Sequence, residues 1–67
     1  MIMKLWIARN QDGSLALFRR KKPMLFWEEN IGQYWAGTSL WLHPSDFPEV
    51  TFENSPQEVE IKLVKQL

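Results

Sequence analysis

The sequence predicts an all-β fold, a meander of about five short antiparallel strands that forms a curved sheet or a small barrel. Three observations support this fold class. Apolar side chains recur at every second residue in several short segments, which is the period of a strand with one buried face. Turn-forming residues separate these segments. Four Trp, four Phe and one Tyr provide an aromatic core for so short a chain.

Chain length and cysteine content limit how such a fold is stabilised. We expect one domain over residues 1–67, and a chain of this size hides only about 60% of the surface that its unfolded form exposes. Domains this small need disulfides, a metal, a partner or an unusually aromatic core. Because the chain has no cysteine and a single histidine, His43, we expect aromatic packing or association to stabilise it.

The first apolar run of the chain is short. It covers residues 5–8 and is followed by Arg9. A signal peptide needs an apolar core of ~7–15 residues, and a membrane span needs about 20. Together with the absence of cysteine, which is typical of reducing compartments, this run predicts a cytoplasmic protein that does not bind membranes.

The N-terminal third of the chain predicts a β-hairpin. Apolar side chains occupy alternate positions over residues 3–8 and again over residues 15–20. Between them, residues 10–13 read Asn-Gln-Asp-Gly, a turn sequence in which Gly13 takes a positive φ. Pro23 has no N–H for a sheet ladder and therefore ends or interrupts the second strand.

The middle of the chain predicts a second hairpin. Residues 24–27 form a short apolar run that is followed by a loop. Two short strands come next, at residues 33–36 and 40–43, and a Gly-Thr-Ser turn joins them. This pairing would place Trp35 and Trp41 opposite each other as a cross-strand aromatic pair.

A bend bracketed by two prolines follows at residues 43–48. Ser45 or Asp46 is expected to cap one helical turn near residues 44–47. Residues 50–52 are expected to pair briefly with a neighbouring strand. The sequence therefore predicts an irregular segment between the second hairpin and the end of the chain.

The last segment has two possible structures. Apolar and charged side chains alternate over residues 58–63, which predicts a closing strand. Ser55 and Pro56 also match the cap and first position of a helix that would run over residues 56–66. The period of the β-branched residues favours the strand.

Charge is unevenly distributed along the chain although its formal total is zero. Residues 1–33 carry six basic and three acidic side chains, a net charge of +3. Residues 34–67 carry two basic and five acidic side chains, a net charge of −3. Such a division can steer a partner, and it can equally let the two halves attract each other.

The sequence lacks the patterns of common catalytic and metal sites. A hydrolase triad needs a base, and His43 is the only histidine. Ser45 and Asp46 lie too close to it in sequence to converge on one reacting atom. Zinc prefers thiolate and imidazole ligands, the acidic residues lack calcium-loop spacing, and the glycines form no phosphate-binding loop. We therefore expect no enzymatic activity, no catalytic residue, no metal ion and no cofactor.

Four consecutive basic residues form the most charged segment of the chain: Arg19, Arg20, Lys21 and Lys22. Charges beside a proline at the end of a strand protect a sheet against edge-to-edge aggregation, which is the interpretation we favour. The alternative is a nucleic-acid-binding small barrel, in which these residues contact phosphates and nearby aromatics stack on unpaired bases. Phe18, Phe26 and Trp27 are the candidates for stacking. The overall charge of zero is not typical of a nucleic-acid binder.

The tryptophans indicate a different function. A sheet of this size has few fully buried positions, so we expect some of four side chains to be exposed: Trp6, Trp27, Trp35 and Trp41. Trp is the residue most enriched at interface hot spots. The leading hypothesis is therefore a non-enzymatic interaction module that binds another protein, or a copy of itself, through an aromatic face. A small-molecule pocket lined by tryptophans is a third, weaker hypothesis.

Three segments of the chain resemble parts of a known group of proteins. They are KLWIAR with DGSL at residues 4–15, GQYWAG at residues 32–37, and FPEVTFENSPQEV at residues 47–59. These segments resemble small uncharacterised proteins of gut Bacteroides species and of their phages and conjugative elements. The resemblance implies a cytoplasmic protein, an accessory of a mobile element, and it assigns no site residues.

Overall fold

The structure is a computed structural model and describes residues 2–37 and 39–64, with the side chain of Ile2 excepted. It contains six β-strands, and none of the described residues is helical. The strands are β1 (Ile2–Arg9), β2 (Leu15–Phe18), β3 (Met24–Glu28), β4 (Gly32–Ala36), β5 (Ser39–Leu42) and β6 (Gln57–Lys62). Every strand pair is antiparallel, so the predicted all-β fold is confirmed.

The strands form two sheets. A four-stranded sheet has the order β5-β2-β1-β6, and β3 and β4 form a separate two-stranded hairpin. Neither sheet closes on itself, so the barrel that we considered is wrong. The structure also has six strands where about five were predicted, because the apolar run at residues 24–27 is itself a strand.

The first hairpin follows its sequence prediction, except that β2 ends at Phe18, so that Arg19 and Arg20 lie outside the predicted second strand. Arg9 pairs with Leu15 at the end of the ladder, and Gly13 has a φ of +94° in the turn between them. The N–H of Gly13 donates to the carbonyl of Asn10 at 3.0 Å. Glycine reaches this left-handed conformation without the strain that a side chain would bring.

One face of the four-stranded sheet, which we call the loop face, is covered by residues 43–56. Ile7 and Leu15 are buried on it, and Val50 of the covering segment packs against them. Three partly buried apolar side chains, from β2, β5 and β6, complete this cluster: Leu17, Leu42 and Val59. Burying one such aliphatic side chain stabilises the fold by about 1.5–3 kcal/mol.

The opposite face, which we call the hairpin face, is covered by the β3-β4 hairpin. Ala8, Ala16 and Phe18 are buried there, and Trp35 of β4 packs against them together with Trp6. The two alanines leave room for the indole of Trp35 to approach the sheet. This contact positions the hairpin on the sheet.

The predicted second hairpin is wrong. β4 pairs with β3, and β5 pairs with β2, so Trp35 lies opposite Leu25 and Trp41 lies opposite Ala16. A three-residue turn joins β3 to β4, with Gly32 at a φ of +84° after it. Because β5 instead joins the edge of the larger sheet, its leucines extend the apolar loop face.

Residues 43–56 also differ from the predictions. The predicted helical turn near residues 44–47 is a β-turn, in which the N–H of Asp46 donates to the carbonyl of His43 at 2.9 Å. Phe47 then adopts a φ of +49°, which a right-handed helix cannot continue. Residues 50–52 pair with no strand in the described part of the chain.

The closing strand is confirmed as β6 over Gln57–Lys62, and the helix alternative is wrong there. Its apolar side chains join the loop face, since Val59 pairs with Leu5 and Ile61 pairs with Met3. A strand places every second side chain on this face, whereas a helix over the same residues would break the ladder with β1. Residues 65 and 66 of the alternative helix lie outside the described residues.

The segment over the loop face is held by Arg9. All five N–H groups of its guanidinium donate to backbone carbonyls. The acceptors belong to the hairpin turn and to the covering segment: Gly13 at 2.8 Å, Pro44 at 2.9 Å, Asp46 at 3.0 Å, Phe47 at 3.1 Å, and Val50. Five donors is the full capacity of an arginine, so this side chain links the irregular segment to the sheet.

The neighbouring residue, Asn10, links the β3-β4 hairpin to the hairpin face of the sheet. Its buried side chain accepts a hydrogen bond from the N–H of Trp35 at 2.8 Å and donates to the hydroxyl of Ser14 at 3.0 Å. Consecutive residues of a strand point to opposite faces. The end of β1 therefore anchors both layers that cover the sheet.

We expect Arg9→Lys to lower the free energy of unfolding by about 3 kcal/mol, because an ammonium cannot reach five carbonyls in the fork geometry of a guanidinium. Urea unfolding followed by tryptophan fluorescence measures this change. Arg19→Lys is the matched control, since Arg19 is exposed in a loop, and we expect it to change stability by less than about 0.5 kcal/mol. Equal stabilities of the two variants would contradict the role of Arg9.

Candidate functional site

The β3-β4 hairpin carries the most exposed apolar surface of the described chain. All five residues of β3 are exposed, although four of them form the apolar run at residues 24–27. The molecule measures 51 × 24 × 17 Å, and its radius of gyration of 13.0 Å exceeds the ~11 Å of a compact chain of this length. An elongated shape of this kind leaves apolar residues without cover.

The two faces of the hairpin have different surroundings. Cross-strand partners share a face, so one face carries Met24, Phe26, Tyr34 and Ala36, and the other carries Leu25, Trp27, Gln33 and Trp35. The rings of Phe26 and Tyr34 stack on the first face with centroids 6.2 Å apart. On the second face Trp35 contacts the sheet, while Trp27, nearer the turn, is left outside this contact.

The four candidate tryptophans do not form one surface. Trp27 and Trp41 are 68% and 65% exposed, whereas Trp6 and Trp35 are partly buried. Trp35 also packs against Phe52, with ring centroids 6.2 Å apart, and no described residue accepts a hydrogen bond from its buried Nε1. Lys22 lies over the ring of Trp6, with Nζ 5.6 Å from the centroid. Two tryptophans are thus available for a partner, and they lie on different sheets.

Trp35 and Trp41 nevertheless line one cleft. It has a volume of about 400 Å³ and lies between the first hairpin turn, β4 and the start of β5. Asp12, Ser14 and Gln33 supply polar groups to its wall. The cleft is the location that a small molecule would occupy under the third hypothesis.

The basic residues lie outside the strands. Arg19, Arg20, Lys21 and Lys22 form the exposed loop between β2 and β3. Arg20 has a φ of +71°, and the N–H of Lys21 donates to the carbonyl of Arg19 at 2.8 Å. This hydrogen bond closes a γ-turn, a tight and strained reversal. The reversal turns the chain sharply before β3 begins.

The basic loop and one face of the hairpin form a groove. The four basic residues line it together with Met24, Phe26, Ala36 and Gly37, and its volume is about 440 Å³. Of the three stacking candidates, Phe26 therefore lies beside the basic loop. Phe18 is only 1% exposed and cannot stack on a base, and Trp27 lies on the other face of the hairpin.

The segment around His43 forms the predicted bend, and local hydrogen bonds hold it. The Nδ1 atom of His43 lies 2.6 Å from the hydroxyl of Ser45 and accepts a hydrogen bond from the N–H of Ser45 at 3.2 Å. All three side chains of residues 43, 45 and 46 are exposed. The described residues contain no group of three or more His, Asp or Glu side chains that could hold a metal ion.

β3 also has a free backbone edge. The N–H of Trp35 donates to the side chain of Asn10 and so points away from β3. Along a strand, the N–H and C=O groups of successive residues point alternately to one side and to the other. Leu25 is the ladder partner of Trp35, so the backbone groups of Leu25 point away from β4. The backbone groups of Trp27, two residues further along β3, point the same way. No described strand pairs with this side of β3. The hairpin thus presents both apolar side chains and unpaired backbone groups.

Sequence reasoning missed two features of this arrangement. Met24 and Leu25 were not recognised as surface residues, although an apolar run without alternation must expose one face when it forms a two-stranded sheet. Arg9 was counted only as a charge. Its position in the alternation of β1, two residues after Ile7, is the signal that its side chain belongs to the covered loop face.

Comparison of the chain with protein-family models, with curated proteins and with solved structures finds no match in any of the three. No helix in the described residues is long and apolar enough to cross a membrane.

A pH dependence follows from Asp12 in the first turn. Hydrogen bonds from the hydroxyl of Ser14 at 2.6 Å and from its N–H at 2.9 Å lower the pKa of this carboxyl from its ordinary 3.8. A lowered pKa in the folded state gives stability that is present above 3.8 and is lost as the pH falls through the folded value. Because the carboxylate is exposed, solvent screening limits this contribution to the free energy of unfolding to about 0.5 kcal/mol.

We therefore expect Asp12→Asn to lower the free energy of unfolding slightly at pH 7, with the difference from the unmodified protein shrinking as the pH falls below 3.8. Urea unfolding at several pH values measures this difference. Asp46→Asn is the control for loss of one exposed carboxylate. A difference for Asp12→Asn that stays constant down to about pH 2 would contradict the proposed linkage.

Proposed function

We propose that this chain is a non-enzymatic protein-interaction module that binds an extended segment of a partner protein along β3. The observation that carries the proposal is the strand itself, whose side chains and outer backbone edge are both exposed. An exposed apolar edge strand is a template for pairing with another chain. Strand addition of this kind gives affinity through backbone hydrogen bonds and specificity through alternate side chains.

The surface around β3 determines what partner segment fits. Outward backbone groups of Leu25 and Trp27 would bond the added strand, and Trp27 offers a large exposed ring beside it. The basic loop at residues 19–22 leads directly into β3 and carries four positive charges. A partner segment that alternates apolar and acidic residues complements this surface.

The resemblance of three segments to proteins of Bacteroides mobile elements supports a role for the module as an accessory of such an element, with the partner encoded by the host or by the element. This role concerns the identity of the partner. The chemistry of the binding strand does not depend on it.

Replacing Trp27 tests the proposal, with Trp41 as the matched control because the two side chains are almost equally exposed on different sheets. The probe is a display library of random peptides of about twelve residues, selected on the purified protein. We expect selected peptides to alternate apolar and acidic residues. Trp27→Ser should weaken their binding at least tenfold, and Trp41→Ser by less than about twofold, in a fluorescence polarisation titration.

Two results would contradict strand addition at β3. One is the absence of any enriched peptide from the library. The other is a selected peptide whose affinity falls more with Trp41→Ser than with Trp27→Ser. Intrinsic fluorescence and circular dichroism spectra of both variants confirm that each is folded before binding is compared.

A second candidate function is binding of single-stranded nucleic acid. The groove that brings Phe26 beside the four basic residues of the loop supports it. Phosphates would contact the basic side chains, and an unpaired base would stack on Phe26. The stacked ring of Tyr34 holds Phe26 in place for this contact.

We expect nucleic-acid binding in this groove to show steep salt dependence. Four phosphate contacts give a slope of about −3 when the logarithm of affinity is plotted against that of salt concentration, over ~50 to ~200 mM. Replacing all four basic loop residues by Gln should abolish binding of a labelled oligonucleotide, measured by polarisation. Lys4→Gln is the control on the other sheet. Binding that the quadruple variant retains would exclude the groove.

A further inference from the structure

The outer edge of β6 is another free edge, on the four-stranded sheet rather than on the hairpin. β6 is the last strand in the order β5-β2-β1-β6, and within the described residues no strand pairs with its outer side. Its side chains are mostly exposed, and Ile61 is 50% exposed. This edge therefore has backbone groups and apolar side chains available for another strand.

The sequence from Val59 of β6 to Leu63, the residue after the strand, is complementary to itself. Residues 59–63 read Val-Glu-Ile-Lys-Leu, and antiparallel reversal about Ile61 exchanges Val59 with Leu63 and Glu60 with Lys62. Every position would then meet a side chain of matching chemistry. We propose that two copies of this chain associate by antiparallel pairing of their β6 strands, with Ile61 opposite Ile61 of the second copy.

The backbone of β6 permits this register. The N–H of Arg9 donates to Ser55, on the β6 side of β1, so odd-numbered residues of β1 direct their backbone groups toward β6. Their partners on β6 are Gln57, Val59 and Ile61, which point back toward β1. Even-numbered residues of β6 then face the free edge. Pairing Glu60 with Lys62 of the second copy joins two outward-facing residues, as an antiparallel ladder requires.

Charge selects this register over its neighbours. Centring the pair on Glu60 places Glu60 opposite its own copy, and centring it on Val59 places Glu58 opposite Glu60 twice. Like charges directly opposite each other are destabilising. The register centred on Glu60 also forms two Glu58 to Lys62 pairs, so its disadvantage is the Glu60 to Glu60 pair. The register centred on Ile61 forms two Glu60 to Lys62 pairs and places no like charges opposite each other. Glu58 is already 3.5 Å from Lys4, and among the described residues neither Glu60 nor Lys62 forms an ion pair.

The apolar surface beside β6 fits the same partner. Met3, Ile61, Leu63 and Val64 line a depression of about 640 Å³ at the end of the loop face. These four side chains are exposed, and Leu63 is the most exposed of them. In the paired arrangement Val59 of one copy meets Leu63 of the other, so the loop faces of two sheets become continuous. The dimer thus covers an apolar region that one copy leaves in water.

The interface is small, because it consists of five residues of each ladder and a few adjoining side chains. Interfaces of this size are typical of transient complexes, and we expect a dissociation constant of about 10–100 µM. This association uses a different strand from the proposed partner site on β3. Its success or failure is therefore independent of the proposed function.

Charge reversal and complementation test the register. Sedimentation equilibrium from about 10 µM to about 1 mM should show a dimer of the unmodified chain. Lys62→Glu places four acidic side chains at the centre of the interface, and Glu60→Lys places four basic ones, so each variant alone should be monomeric. Mixed together they should form a heterodimer, since each acidic side chain then meets a basic one. Lys21→Glu, which makes the same change of charge in the distant loop, should leave the dimer intact.

A cysteine at the symmetry centre tests the alignment directly in a chain that has no cysteine of its own. In the proposed register Ile61→Cys faces its copy at a Cα separation of about 4.5 Å, which a disulfide spans. Mild oxidation should link this variant much faster than Glu60→Cys. A monomeric unmodified chain at about 1 mM, a dimer that survives both charge reversals, or equal linking of the two cysteine variants would each overturn the proposal.

Discussion

The guanidinium of Arg9 holds the longest segment of the described chain that no ladder supports. Residues 43–56 contain turns but no strand, and yet Val50 from this segment completes the cluster around Ile7 and Leu15. Five hydrogen bonds from one side chain fix four carbonyls of that segment and one of the first turn. In a chain without cysteine, such a link takes the place that a disulfide has in many domains of this size.

Arg9 and Asn10 together explain how so small a sheet is covered on both sides. They are consecutive, so their side chains leave β1 toward opposite faces, one toward the irregular segment and the other toward Trp35. The two layers are therefore attached at the same end of β1. Toward the other end, at Met3 and Ile61, neither layer covers the sheet, and the apolar depression beside β6 results.

The limited cover of this small fold also leaves apolar surfaces exposed on the β3-β4 hairpin. The hairpin meets the sheet mainly through Trp35, because a two-stranded ribbon can bury only one of its faces against one neighbour. Met24, Phe26 and Trp27 then remain in water, next to four basic residues that a strained γ-turn brings to the start of β3. Apolar side chains, a free edge and positive charge meet at one place, and this combination is the basis of the proposed recognition of an extended acidic and apolar segment.

Local chemistry in the sequence was sufficient to determine the all-β class, the first hairpin with its Gly13 turn, and β6. These features depend on side-chain period and turn residues, which act between near neighbours. The period of the apolar side chains predicts which face of its strand a residue occupies. It does not predict which other strand pairs with that strand. The tertiary structure alone therefore decided that β4 pairs with β3, that Trp27 and Trp41 rather than Trp6 and Trp35 are exposed, and that Arg9 reaches carbonyls more than thirty residues away in the chain.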